Sequence, residues 1–227
     1  MPTPRRTRDP ASGGPGYTGG MVATTPVAAL PPGPLVQDPH AARHLLEERR
    51  RSGLDRHDEV WNGRYILMPL AGPQHQQLVN RIAYLLTRFL DDHGRDGIVE
   101  PGTNVTDQQE DWTRNYRCPD VVLYLPDNPA EQRSSHWFGG PDLAVEVLSE
   151  GDLALEKLPF YASVGVRELW LLDRDPWRLS RYRLNDGKLV AEGVAEPGGA
   201  AVQSVVLPLD WSLTENDPPA VAISAAE

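Results

Sequence analysis

Two acidic residues stand in runs that otherwise read as apolar strands. Asp120 lies in Arg117-Cys-Pro-Asp-Val-Val-Leu-Tyr-Leu125, directly after a proline. Glu146 lies in the middle of Pro141-Asp-Leu-Ala-Val-Glu-Val-Leu-Ser149. Strand alternation puts Asp142, Ala144, Glu146 and Leu148 on one face and Leu143, Val145 and Val147 on the other. A carboxylate in such a strand must be hydrogen-bonded, ion-paired or bound to a cation, because a bare one is too costly to bury. Two of them invite a metal. Hard oxygen ligands suit Mg2+ or Mn2+, which keep several waters and so leave room for phosphate oxygens. Lys157, on the helix expected next, would supply a positive point charge. Plainer roles stay open at this level: Asp120 capping a turn after Pro119, Lys157 as a solvated helix lysine, or both acids in a structural ion-pair network with Lys157 and arginines.

Other polar residues are less informative. The six histidines are scattered singly and form no metal-ligand spacing, and His75 reads as a cap at a helix start. Asp107, Glu110 and Asp111 read as a solvated acidic turn. Arg114, Arg117 and Arg133 flank the candidate site in sequence and suit either phosphate contact or neutralisation of the surrounding acids. Tyr161 and Trp170 read as core.

The elements that must position these groups follow from periodicity. Residues 1–38 are dense in Pro, Gly, Ala and Thr and read as a disordered leader. A polar helix is expected over His40–Arg51, with Leu45 and Leu46 docking on the domain. In Glu59–Met68 two strand-like runs flank Asn62-Gly63, a strong hairpin signal. From Gln74 to Asp92, Leu78, Ile82, Leu85, Leu86 and Phe89 recur at helical spacing, and His93-Gly94 supplies a stop. Strands are expected over Gly97–Val105, Cys118–Leu125, Asp142–Leu148 and Arg167–Asp173, and a helix over Gly151–Tyr161. Arg181–Val190 reads as a second hairpin about Asn185-Asp186-Gly187. This order implies an α/β fold, a mixed β-sheet flanked by helices, spanning residues 39–214 with a flexible tail over residues 215–227.

Composition narrows the function class. A chain of 227 residues with 40% hydrophobic residues can bury one core without staples. Its single cysteine, Cys118, excludes an intrachain disulfide and a cysteine metal cage, and favours a reducing, cytoplasmic compartment. Arg5, Arg6 and Arg8 are followed by Gly, Pro, Thr and Ala, which is no signal peptide, and no apolar run is long enough to cross a membrane. With 22 basic against 32 acidic residues the formal charge is −10, which argues against nonspecific coating of nucleic acid. A metal-dependent site that confines its positive charge to a groove or a dimer partner remains compatible with it.

Taken together, the fragments resemble the Uma-type restriction endonuclease family of the PD-(D/E)xK nuclease superfamily. The similarity runs through Glu59-Val-Trp-Asn-Gly, His75-Gln76 opening a helix, Cys118-Pro-Asp120, Pro141–Ser149, Glu156-Lys157, Tyr161, Gly165-Val166 and Glu168-Leu-Trp170, or roughly residues 55–185. It implies a restriction-endonuclease-like core and Mg2+-dependent hydrolysis of DNA. Asp120 and Glu146 would be the metal ligands, with the backbone carbonyl of Val147 completing the coordination. Lys157 would be a lysine migrated to a helix from the position two residues after the glutamate, where this chain has Leu148. Glu59, His75 and Gln76 would line the same mouth. A homodimer follows from the need to cut both strands. The chain departs from the family pattern where Ser149-Glu150-Gly151-Asp152 replaces a Pro-Ser-Thr-like loop and the stretch to Lys157 is a few residues short. The alternative is a nuclease-fold module without turnover that binds nucleic acid or a protein partner.

Overall fold

The computed structural model describes residues 38–149 and 151–226. The expected leader therefore lies outside the described residues, apart from Asp38. That residue caps the first helix, α1 (Pro39–Ser52), by accepting hydrogen bonds from the His40 and Ala41 amides. The Asn62-Gly63 turn joins β1 (Glu59–Trp61) to β2 (Arg64–Ile66), with both turn residues at positive φ as a tight hairpin turn requires. The long helix α2 (Pro73–Asp92) buries Leu78, Val79, Ile82, Leu86, Phe89 and Leu90 on one stripe.

The central sheet is mixed, as expected, and has six strands. Its order is β12 (Lys188–Ala195), β11 (Trp177–Asn185), β10 (Glu168–Arg174), β9 (Leu143–Val147), β6 (Val121–Tyr124), β3 (Ile98–Pro101). Only β9 and β10 run parallel in it. A parallel pair needs a crossover. Here a 3-10 turn (Ala154–Lys157) leads directly into the short helix α3 (Leu158–Ser163). The single helix expected over residues 151–161 is thus split. Pro159 is tolerated because it falls in the first turn of α3, where its missing N–H costs nothing.

Alternation along β9 sorts the two cores. Leu143, Val145 and Val147 pack with α2 and with Trp170 and Trp211, whereas Ala144 packs with Phe160 and Tyr161 of α3. Glu146 therefore faces the side covered by the crossover.

One expected strand is interrupted and another is shortened, and both changes matter. Gly97–Val105 divides into β3 and β4 (Val105–Thr106), and the strand expected over Cys118–Leu125 is shortened to β6, with a separate β5 (Tyr116–Arg117) ahead of it. The first of each pair and the second belong to different sheets. β4 and β5 join a second six-stranded sheet in the order β2-β1-β5-β4-β8-β7, where β7 is Glu131–Gln132 and β8 is Trp137–Phe138. Cys118-Pro119-Asp120 is where the chain passes between sheets; Pro119 has no N–H to offer a ladder.

The expectation of a flexible tail from residue 215 is corrected. β13 (Val202–Gln203), β14 (Leu209–Leu213) and β15 (Val221–Ala225) form a third sheet, with Leu213 opposite Val221 and Leu209 opposite Ala225. Val221 is buried and Ile223 packs beside it on the core. A Pro- and Ala-rich composition concealed this short alternation.

Glu168 ties this sheet's approach to the central one. It accepts hydrogen bonds from Trp170 Nε1, Ser204 Oγ and the Val205 amide. Glu168→Ala leaves these buried donors unpaired and is expected to lower the unfolding free energy by about 3 kcal/mol. Burial holds this carboxyl above its ordinary range, against donors that favour its charged form. Its contribution is therefore largest at acid pH and falls as pH rises through the folded-state value. Denaturant titrations from acid to neutral pH check both, since the gap between wild type and variant should narrow toward neutrality.

Candidate active site

Asp120 and Glu146 meet across two antiparallel strands. In the pairing of β6 with β9, Val121 is opposite Val145 and Val122 opposite Ala144. One further step in the same register puts Asp120 opposite Glu146. The Asp120 carboxylate is locked at that junction: Oδ2 accepts from the Val147 amide at 2.7 Å, and Oδ1 lies 2.9 Å from His75 Nε2. An ionised carboxylate only accepts, so Nε2 carries the ring proton in this contact. His75 Nδ1 is buried and has no hydrogen-bond partner among the described residues.

Lys157 comes from the crossover. It is the last residue of the 3-10 turn, four residues before Tyr161, so both side chains lie on one face and project toward Glu146. Lys157 Nζ is 3.0 Å from Glu146 Oε1 and 2.9 Å from Glu59 Oε1. Tyr161 donates its hydroxyl to the same Glu146 oxygen. Glu59, at the start of β1, also accepts from the Cys118 amide at 2.9 Å and from Trp61 Nε1 at 2.6 Å. The short link from Ser149 does not keep Lys157 away. The Asp152 amide donates to the Ser149 carbonyl, closing a tight turn ahead of the 3-10 segment.

The electrostatics follow from crowding. Burial, with Asp120 and Glu59 close by, pushes the Glu146 carboxyl up to about 8, while Lys157 and Tyr161 pull it down. Burial works against the Lys157 charge, but Glu146, Glu59 and Asp152 outweigh it and hold the ammonium well above its ordinary range. Lysine is therefore the charged partner of the group. The side chain of Lys157 is 1% exposed and that of Glu146 5%, against 21% for Asp120, so solvent reaches the pair from the Asp120 side.

Of the expected site residues, the fold brings Asp120, Glu146, Lys157, Glu59 and His75 into one connected group, with Val147 joined through its amide. Gln76 is exposed and makes no hydrogen bond to this group among the described residues. Tyr161 packs in the core as expected, yet its hydroxyl belongs to the site. The sequence signal for it was its position four residues after Lys157. Asp152 was also missed: it is half-buried, Lys157 acts on it, and its Oδ1 has no hydrogen-bond partner among the described residues.

Arg117 is removed from the phosphate-contact candidates. Its guanidinium is buried between the Trp61 and Phe160 rings, 4.4 and 4.3 Å from their centroids, and donates to the Val60 and Tyr116 carbonyls. Asp142, another aspartate after a proline, accepts from the Leu125 amide, Asn128 Nδ2 and Arg167 Nη1. It is a structural acid.

Residues 46–216 match the family Uma2, described as "Putative restriction endonuclease". The chain belongs to the Uma2 family. Among solved structures, the Uma2 chain is similar to one described as a putative nuclease belonging to DUF820 from Anabaena variabilis. The TM-score is 0.53 at 16% identity, covering 65% of this chain and 80% of that one. At that identity the likeness speaks for the fold, which is the restriction-endonuclease-like one. No curated protein matches the chain.

The residues suit a hard divalent ion of the kind used across restriction-endonuclease-like proteins. Among the described residues no three His, Cys, Asp or Glu side chains converge as a cage. Mg2+ does not require one, since one or two carboxylates plus water and substrate oxygens commonly hold it. Asp120 Oδ1 keeps a second lone pair beside the one His75 uses. No helix among the described residues is long and apolar enough to cross a membrane.

Proposed function

We propose that this Uma2 protein is a Mg2+- or Mn2+-dependent endodeoxyribonuclease that hydrolyses DNA phosphodiester bonds, acting in the cytoplasm as a homodimer. The observation that carries the reading is the register that sets Asp120 opposite Glu146 with Lys157 Nζ 3.0 Å from the latter. Asp120 and Glu146 would hold the ion, with the Val147 carbonyl beside them. When bound, the ion polarises the scissile phosphate and acidifies the attacking water.

The chain's own residues supply the positioning. The Val147 amide and His75 orient Asp120, while Tyr161 and Lys157 orient Glu146. Glu59 anchors Lys157 from the opposite side. An ammonium has three protons, and two are directed at these carboxylates, leaving one for an oxygen of the substrate or of the attacking water. Such a preformed donor in a site shielded from water stabilises charge far better than one in bulk solvent.

A second reading, a module that binds nucleic acid or a protein without turnover, is favoured by the near-complete burial of Lys157 and by the net charge of −10. Calorimetric titration with Mn2+ and Mg2+, with plasmid nicking in the same buffers, separates the two. For the nuclease, wild type binds metal and nicks, chelation stops nicking, and Glu146→Ala loses both. Wild type that binds neither ion and leaves plasmid intact at low salt rejects it.

A further inference from the structure

Beside the candidate active site lies a polar cleft of 360 Å3 between the end of β3 and the hairpin of β7 and β8. Its inner end is joined to the site by backbone, because the Gly102 amide donates to the Asp120 carbonyl at 3.0 Å. Gly102 has a φ of +61°, and a Cβ there would come within 3.2 Å of the His57 ring, so this close turn requires glycine.

The hairpin is short and its tip is polar. Glu131 pairs with Phe138 and Gln132 with Trp137, and the Arg133 amide closes the turn on the His136 carbonyl at 2.9 Å. Arg133, Ser134 and Ser135 are exposed. The base of the hairpin is rigid: Trp137 stacks on Tyr124 at 3.7 Å, and His136 stacks on Trp112 at 4.9 Å. Glu100, the one acid on the cleft wall among the described residues, already accepts from Trp137 Nε1 and Gln132 Nε2. The Arg133 guanidinium hydrogen-bonds only the exposed Glu131 carboxylate among the described residues. That fork suits an exchange of carboxylate for the paired acceptors of a guanine edge, and an exposed ion pair costs little to give up.

We infer that the β7–β8 hairpin reads base edges in the major groove of double-stranded DNA beside the cut, with Arg133 as the guanine-selecting residue. The major groove of B-form DNA admits a two-stranded ribbon, whereas that of duplex RNA is too narrow. The cleft wall that carries Arg133 begins at Gly102, whose amide is bonded to Asp120, so the hairpin lies on the same side of the domain as the proposed cut. The acidic net charge makes this more important, since backbone attraction alone gives this chain little hold on DNA.

This role rests on the nuclease reading proposed above. Its test uses the full chain and Arg133→Ala with a randomised DNA duplex pool in Mn2+, sequencing the ends produced and measuring binding of the same pool by gel shift. Wild type is expected to enrich guanine at one position close to the cut, and Arg133→Ala to lose that preference by about 10-fold or more. Unchanged ends in the variant, or a uniform fall across all sequences as a phosphate contact would give, overturn the base-reading role while leaving the nuclease standing. Equal cutting of an RNA duplex also overturns it. A wild type that neither binds nor cuts the pool overturns the nuclease reading itself and the hairpin's role with it.

Discussion

Glu146→Gln is expected to reduce plasmid nicking in Mg2+ by at least about three orders of magnitude, or about 4 kcal/mol of transition-state stabilisation. The amide has nearly the same shape and its oxygen still accepts from Lys157 and Tyr161, the two contacts that Glu146 Oε1 makes. What it lacks is the negative charge a hard cation needs. Because Gln also removes one buried carboxylate from a crowd of them, the thermal midpoint should hold or rise. Rate and midpoint measured together decide the matter. Loss of activity with an intact fold assigns Glu146 to the chemistry, and unimpaired nicking removes it from the site.

Lys157→Met is expected to be the most destabilising single change in the site. It leaves Glu59 and Glu146 buried without the ammonium between them, at a cost of about 3–5 kcal/mol. For a domain of this size that is a fall in thermal midpoint of roughly 10 °C. Adding Glu59→Gln should recover part of the loss, with a coupling of about 1–3 kcal/mol in the double-mutant cycle. Additive losses would mean that the two side chains do not touch in solution. Activity is expected to fall in Lys157→Met whether or not the second change restores stability.

Both outcomes follow from a single arrangement, in which one lysine is shared by an acid from the crossover-facing side of the central sheet and an acid from the second sheet. Together with Asp152 the two carboxylates outweigh the burial that works against the Lys157 charge. The two fix its direction, and the Cys118 amide and Trp61 Nε1 in turn fix Glu59. The second sheet is therefore part of the site's support.

Short-range features of this protein were legible in the amino-acid order. The Asn62-Gly63 and Asn185-Asp186-Gly187 turns depend on local backbone preference, and both occur where positive φ is needed. α2 announces itself by helical spacing because its stripe faces one continuous core. Alternation about Glu146 correctly divided β9 between two faces, since a strand with apolar cover on both sides can expose a charge only to a specific partner. The Uma2 family and its restriction-endonuclease-like fold were likewise readable from ordered fragments, none of which is specific alone.

Tertiary structure decided the rest. Asp120 and Asp142 both follow a proline, and no local rule separates them. Only the pairing of β6 with β9 sends one toward Glu146 and leaves the other to Arg167 and Asn128. Arg117 looks like a surface cation until Trp61 and Phe160 close over it from distant parts of the chain. The pull of Glu59 on Lys157 spans nearly a hundred residues of sequence, and the burial of Val221 depends on a neighbouring strand. Spacing and propensity report what a segment does to itself. Which buried charge meets which partner is settled by where separate strands dock, and that is a property of the assembled core.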